Sequence, residues 1–268
     1  MLSKLLRHEF RATGRILLPL YLLLFVTAGL LHVSILLTDN ERIGYGWPVR
    51  VFSIVSITSF GIAIVGVSVL AWALMIYRFY KNLMTDEGYL MFTLPVTPHQ
   101  IIASKLIVTL VWTVTTFVAD MLAIVLALCR LVTVEDLREV LWEFDYLLHQ
   151  LSAGNIVAYS IELVLLVFFS VTAAYLTYYA AIALGHSFAN HKILLSVVFY
   201  FAFVIALRII VTILSVGSIT VVTYGWEDVD PFAVSHGIMW GVIALLVLQT
   251  VIFYLLTHGM LRKRLNLQ

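Results

Sequence analysis

The sequence predicts an all-α membrane protein: six transmembrane helices, an N-terminal interfacial helix, a short cytoplasmic helix between the second and third spans, and an external amphipathic helix. Three observations predict this. First, 62% of the 268 residues are hydrophobic and only 12% are charged, with a mean hydropathy of +1.04; soluble domains carry about 25% charged and 45–50% apolar residues. Second, the apolar residues are gathered into blocks long enough to cross about 30 Å of hydrocarbon at 1.5 Å per residue. Third, Lys and Arg concentrate on alternate connections between those blocks.

Met1–Arg15 is charged and amphipathic, and the apolar run after it has full spanning length, so it does not read as a cleavable signal. Leu2, Leu5, Leu6 and Phe10 recur at helical spacing against Lys4, Arg7, His8 and Arg11. That pattern predicts a helix over 1–15 lying in the inner interface, with its cations toward anionic headgroups. The spans follow at Ile16–Leu37, Val51–Tyr77, Leu106–Cys129, Ile156–Leu184, Ile193–Leu214 and Gly237–Thr257. Continuous apolar runs without period-2 alternation select helices, which satisfy their own backbone in lipid.

Orientation follows from the cations. Lys4, Arg7, Arg11 and Arg15 precede the first span, Arg78, Lys81 and Lys105 flank the second connection, Lys192 the fourth, and Arg262, Lys263 and Arg264 the tail. The alternate connections hold Arg42, Arg50, Arg130 and Arg138. Both termini are therefore expected in the cytoplasm. Outside, Val134–Leu151 places Leu137, Val140, Leu141, Phe144 and Leu148 on one face, with Thr133 and Asp136 spaced as a capping box. The last external connection, Ser215–His236, contains an apolar stretch, Ile219–Tyr224, too short to span. The chain reads as a single transmembrane domain over 1–268.

Three charged residues fall within spans, where a charge is costly unless paired or wet. Asp120 lies about 13 Å from the outer end of span three and has no evident partner, while Glu162 and Arg208 both lie about 10 Å deep. Matched depth and opposite sign predict a Glu162–Arg208 ion pair, either structural or lining a translocation path. In span four, Ala173, Thr177, Ala181 and Gly185 form a small-residue stripe suited to close helix packing. The lone Cys129 excludes a disulfide within the chain and reads as a packing residue. His186 and His191 flank a short turn with no third ligand nearby, and read as interfacial residues.

No GxxxxGK[ST] phosphate cradle, HExxH or cysteine cluster occurs. No catalytic residue, metal site or cofactor of its own is expected, so the chain does not read as an enzyme. The net charge of +1 is sorted by position and gives no reason to expect nucleic acid as a partner. The expected surroundings are the lipid bilayer.

The connection Arg78–Lys105 is the informative segment. It is far longer than a turn needs and holds Tyr80, Leu83, Met84, Tyr89, Leu90, Met91, Phe92 and Leu94. Thr85, Asp86 and Glu87 suit a helix start, and Pro95 with Pro98 a stop. Such an exposed helix needs a headgroup layer or a cytoplasmic partner to bury its aromatic side chains.

Here the sequence resembles the permease subunits of type-2 ATP-binding-cassette exporters. Their pattern runs acidic residue, Gly, a hydrophobic cluster ending in Leu-Pro, a small polar residue, then Lys at the head of span three. The corresponding residues are Glu87, Gly88, Leu90–Leu94, Pro95, Thr97 and Lys105. The likeness is nearest to small six-span Gram-positive bacterial permeases with an EGYL…TLP loop, here Glu87–Leu90 and Thr93–Pro95. It implies that 78–105 is a coupling segment whose Asp86, Glu87, Gly88, Tyr89, Leu90, Phe92 and Pro95 dock on a separate ATPase. ATP and Mg would belong to that partner, and a second permease copy, identical or homologous, would complete the path. The implied location is a bacterial cytoplasmic membrane. A proton-coupled secondary transporter using Asp120 and Glu162 is the alternative, but apart from Pro19 the spans lack the breaks that such transporters carry.

The topology is checked by labelling Asn266→Cys in a Cys129→Ala background. An impermeant thiol reagent should leave it unmodified in sealed cells and modify it after permeabilisation. Labelling from outside would overturn the orientation.

Overall fold

A computed structural model describes residues 2–39, 46–85, 87–88, 96–150, 153–188, 190–225 and 231–263. Seven α-helices run along them: α1 (Leu2–Asp39), α2 (Trp47–Met84), α3 (Pro98–Leu128), α4 (Val134–Gln150), α5 (Ala153–Gly185), α6 (Lys192–Gly225) and α7 (Pro231–Lys263). No strand occurs among the described residues. All but α4 are long and apolar enough to cross a membrane, six candidate spans in all.

The helices overrun the expected spans, and the reasons are local. Residues 1–15 were expected as a separate interfacial helix, but α1 is one unbroken helix of 38 residues. Its buried face runs without a break through Glu9, Thr13, Leu17, Tyr21, Leu24, Ala28, Leu31 and Ser34, so nothing bends the chain at Arg15. Lys4, Arg7, Arg11 and Arg15 stay exposed along its first turns. The stretch 219–224, expected within a loop, continues α6 to 34 residues, about 51 Å. Pro98, expected to stop a helix, opens α3 instead. There its missing N–H costs nothing, and Thr97 and Gln100 cap the helix reciprocally: Gln100 N–H donates to Thr97 Oγ1 at 3.4 Å and Thr97 N–H to Gln100 Oε1 at 3.3 Å.

The chain divides into two compact units. The first holds 1–75 and 107–147, which is α1 and most of α2, α3 and α4. Its core mixes small side chains, Ala28, Ala63, Ala71, Ala119, Ala123 and Ala127 with Thr13, Thr27, Ser34 and Thr116, with the larger Leu17, Leu24, Leu31 and Phe60. Leu18, Leu22, Ile62, Val65, Val114 and Phe117 face outward. The small residues in this core suit helices in lipid, where association depends on close backbone approach. Buried hydroxyls turn back onto their own helix, as Thr13 does to Glu9 O and Thr27 to Leu24 O, both at 2.8 Å. Trp112 of α3 fills the space beside Gly14, a β-carbon's contact distance of 3.4 Å away. At the start of α4, Asp136 N–H donates to Thr133 Oγ1 at 3.1 Å while Thr133 N–H donates to Asp136 Oδ2 at 2.8 Å. The Thr133 hydroxyl and then its N–H hold the Asp136 carboxyl below the usual range. The cap is therefore complete above that range and weakens as pH falls through it.

The second unit holds 76–106 and 148–268: the last turns of α2, the first of α3, then α5, α6 and α7. Here α5 packs against both α6 and α7. Phe79 of α2 stacks on Tyr179 of α5, centroids 3.8 Å apart and planes 6° from parallel, and both rings are fully buried. The stripe on α5 is a packing face: Ala173, Thr177 and Ala181 are buried, and Gln249 of α7 donates to Thr177 Oγ1 at 3.2 Å. At its end, a β-carbon on Gly185 would fall on the backbone of Ser196, 2.6 Å from its Cα. Between these helices His191 takes the left-handed region at φ 55°, and its carbonyl accepts from Leu195 N–H at 2.9 Å, starting α6.

Gly185→Ala should therefore destabilise the protein by about 1–3 kcal/mol, the usual cost of overpacking. Gly259→Ala, where a β-carbon meets nothing, should not. Thermal unfolding of the two variants in detergent compares them directly; equal unfolding temperatures would show that the α5–α6 contact is loose.

Candidate functional site

The segment between α2 and α3 is held at both ends within the second unit. On the α2 side, Phe79 stacks on Tyr179, and Tyr80 packs against His186 at 5.4 Å. Leu83 is fully buried and Met84 nearly so. Thr85 then closes the helix with its hydroxyl on Lys81 O at 2.5 Å, and Gly88 N–H returns to Thr85 O at 2.8 Å. Glu87 pairs with Lys81 at 3.3 Å, both about half exposed. On the α3 side, His99 hydrogen-bonds Tyr254 of α7, while Ile101 and Ile102 are fully buried. Of the expected docking residues, Glu87 and Gly88 thus follow the end of α2. Asp86, Tyr89, Leu90, Phe92 and Pro95 lie outside the described residues. The segment is anchored on α5 on one side and α7 on the other.

His186, at the α5–α6 turn, is buried, and its Nδ1–H donates to Ile182 O at 2.9 Å. Burial is the main cause that pushes its imidazole below the usual histidine range; the Ile182 bond opposes this and Lys192 adds to it. It is a packed, neutral side chain that closes the hairpin.

Asp120, on α3 in the first unit, has a partner that the sequence did not reveal. Ser68 of α2 donates to its Oδ2 at 2.7 Å. Its other oxygen, Oδ1, is buried without a hydrogen bond among the described residues. One turn away, the Tyr21 and Thr116 hydroxyls bond at 2.7 Å. The arrangement is a polar seam through an otherwise apolar packing of α1, α2 and α3.

Glu162 is not paired with Arg208. Its side chain is 2% exposed, and both carboxylate oxygens lie 2.9 Å from His236 Nδ1 on α7. Tyr159, one turn before Glu162, stacks on the His236 ring at 4.1 Å, and its hydroxyl bonds Ser235. The expected ion pair fails because α6 runs on to Gly225, which shifts every depth counted from its end. The antiparallel register is set by Gly185 against Ser196 and by the Tyr178–Tyr200 hydroxyl bond at 2.7 Å. That register brings Arg208 level with Ser170–Ala173, about 12 Å or more along α5 from Glu162. His236 was hidden because it falls just before the apolar run of the last span, in what read as a loop.

Arg208 instead stands midway along α6, exposed and in no ion pair among the described residues. It lines a cavity of about 290 Å³ among α5, α6 and α7. An arginine at the centre of a spanning helix costs about 2.5–3.5 kcal/mol on insertion scales, so its surroundings matter. Cys129 is exposed, its Sγ 3.6 Å from His32 Nδ1.

Comparison with protein families, with curated proteins and with solved structures returns no match for this chain.

The Glu162–His236 bond should contribute measurably to the fold. Glu162→Ala, which strands a part-buried imidazole, should cost about 1–3 kcal/mol, and Glu162→Gln, whose amide oxygen still accepts, clearly less. In a double-mutant cycle with His236→Ala the losses should be non-additive by about 0.5–3 kcal/mol. Strict additivity would mean that the two groups do not act on each other.

Proposed function

We propose that this chain is the membrane-spanning permease subunit of a type-2 ATP-binding-cassette exporter in a bacterial cytoplasmic membrane, with both termini in the cytoplasm. The observation that carries the reading is the EGYL…TLP segment between α2 and α3, in a chain with six candidate spans. The chain forms the translocation path with a second permease copy. A separate ATPase, which binds ATP and Mg, docks on Asp86–Pro95. Nucleotide-driven movement of that ATPase biases the spans by binding one of their arrangements better than the other.

The anchoring of the segment's ends supports a lever role. Force on it passes to α5 through the Phe79–Tyr179 stack and to α7 through His99 and Tyr254. Both helices belong to the unit that contains the Arg208 cavity and the Glu162–His236 pair.

A proton-coupled transporter is the second reading, favoured by the buried Glu162 on His236 and by the half-satisfied Asp120. It ranks lower because it leaves the aromatic segment between α2 and α3 without a task.

Replacing Tyr89 and Phe92 together with Ala separates the readings. It removes the aromatic anchors that dominate interfaces and leaves span packing untouched. The variant should insert and fold normally, but lose co-purification of the ATPase or hydrolyse ATP without transport. Full ATPase binding with full transport would refute docking, and ATP-independent transport abolished by Glu162→Gln would establish the proton-coupled reading.

A further inference from the structure

The cavity in the second unit is amphipathic in a way that specifies a ligand. Val204, Leu207, Arg208 and Val211 lie on one face of α6, and the same face carries Tyr200. Opposite them stand Thr177 and Tyr178 of α5 and Gln249 of α7. The Tyr178 and Tyr200 rings stack at 4.5 Å, 14° from parallel, with their hydroxyls joined, and make a flat wall that is apolar on its faces and polar at its edge. Gln249 donates to Thr177, which fixes its amide beside the cavity. The volume of about 290 Å³ is close to the lower bound of small-molecule pockets, about 300 Å³.

The charge in this cavity belongs to Arg208, which stays protonated at any accessible pH. Nearby carboxylates do not neutralise it, since Glu162 is taken by His236 and lies further along α5. On this face of α6, Val204, Arg208 and Val211 are exposed, so lipid reaches it. A guanidinium there needs an anion with fork-like oxygens, and the bilayer supplies such anions on apolar chains.

We propose that this cavity binds an anionic amphiphile, its phosphate or carboxylate on Arg208 and its chain along Val204, Leu207 and Val211. The site recognises an acidic headgroup attached to an apolar tail, whether a resident anionic phospholipid or an acidic amphiphile arriving from elsewhere. The arginine repels headgroups of net positive charge. This occupancy does not depend on ATPase docking, because the cavity contains none of the residues of the segment between α2 and α3.

Native mass spectrometry of the chain from nanodiscs containing equal phosphatidylglycerol and phosphatidylcholine of matched tails reads the site. The wild type should retain phosphatidylglycerol with a preference of about tenfold. Arg208→Gln, at an exposed position, should stay helical and monodisperse and lose the preference, while Arg208→Lys should keep part of it. Val204→Trp fills the cavity with the arginine intact and should also abolish retention. Equal retention of the two lipids by the wild type, an unchanged preference in Arg208→Gln, or an unchanged preference in Val204→Trp would each overturn the proposal. Displacement by inorganic phosphate alone would overturn the role of the apolar tail, since a simple anion would then suffice. Protection of phosphatidylglycerol from dodecyl phosphate would identify a tightly held lipid of the bilayer, and free exchange a site open to incoming amphiphiles; either supports the binding site.

Discussion

Lipid offers these helices neither hydrogen bonds nor any reward for burying a leucine, and the packing follows from that pair of constraints. Backbone groups are satisfied inside each helix. Side-chain hydroxyls return to their own backbone, as at Thr116 and Trp112 O or Thr257 and Phe253 O. Contact between helices then depends on how closely their backbones approach. Alanines at 119, 123 and 127 of α3 and at 173, 180, 181 and 183 of α5 are all buried, whereas the large aliphatic residues of the same helices are mostly turned outward. The large side chains that are buried include Leu17, Leu24, Leu83, Ile101, Ile102 and Leu176, and the Phe79 ring, which stacks on Tyr179.

Against this dry background the polar pairs take on structural weight. Asp120 with Ser68 crosslinks α2 and α3, Tyr21 with Thr116 crosslinks α1 and α3, and Glu162 with His236 crosslinks α5 and α7. Each joins two helices by a bond that water does not contest. They also fix rotation: a helix turned about its axis would lose its polar partner and expose it to hydrocarbon. Specific pairing of helices thus rests on a few heteroatoms, and closeness of packing on the small residues around them.

Much of the architecture was legible in the sequence because hydropathy is a property of long windows. Six apolar blocks gave six candidate spans, Thr133 and Asp136 announced a cap three residues apart, and the stripe from Ala173 to Gly185 announced a packing face. The helix ends were not legible, because polar residues such as Thr97, Pro98 and Gln100 read as a break when they in fact cap a start. The end of α6 was hidden likewise: Gly217 and Gly225 resemble loop residues, yet the backbone stays helical through both. That error carried over to the site. Depths counted from a misplaced end matched Glu162 to Arg208, whereas the true register gave the carboxylate to a histidine outside the expected span. Pairings across helices depend on rotation and register together, and a single sequence displays neither.

The tight α5–α6 turn bears on how this chain reaches the bilayer at all. Taken alone, α6 must carry an arginine at its midpoint, a cost that its hydropathy, the highest of the six candidate spans, has to offset. Because Gly185 lets Ser196 close in and His191 reverses the chain within a few residues, α5 and α6 form a hairpin held by contacts close in sequence. In that hairpin Arg208 already lines the same cavity as Tyr178 and Thr177. A side chain at position 185 would push Ser196 and the start of α6 away from α5, and so loosen the very hairpin that carries the cation into lipid.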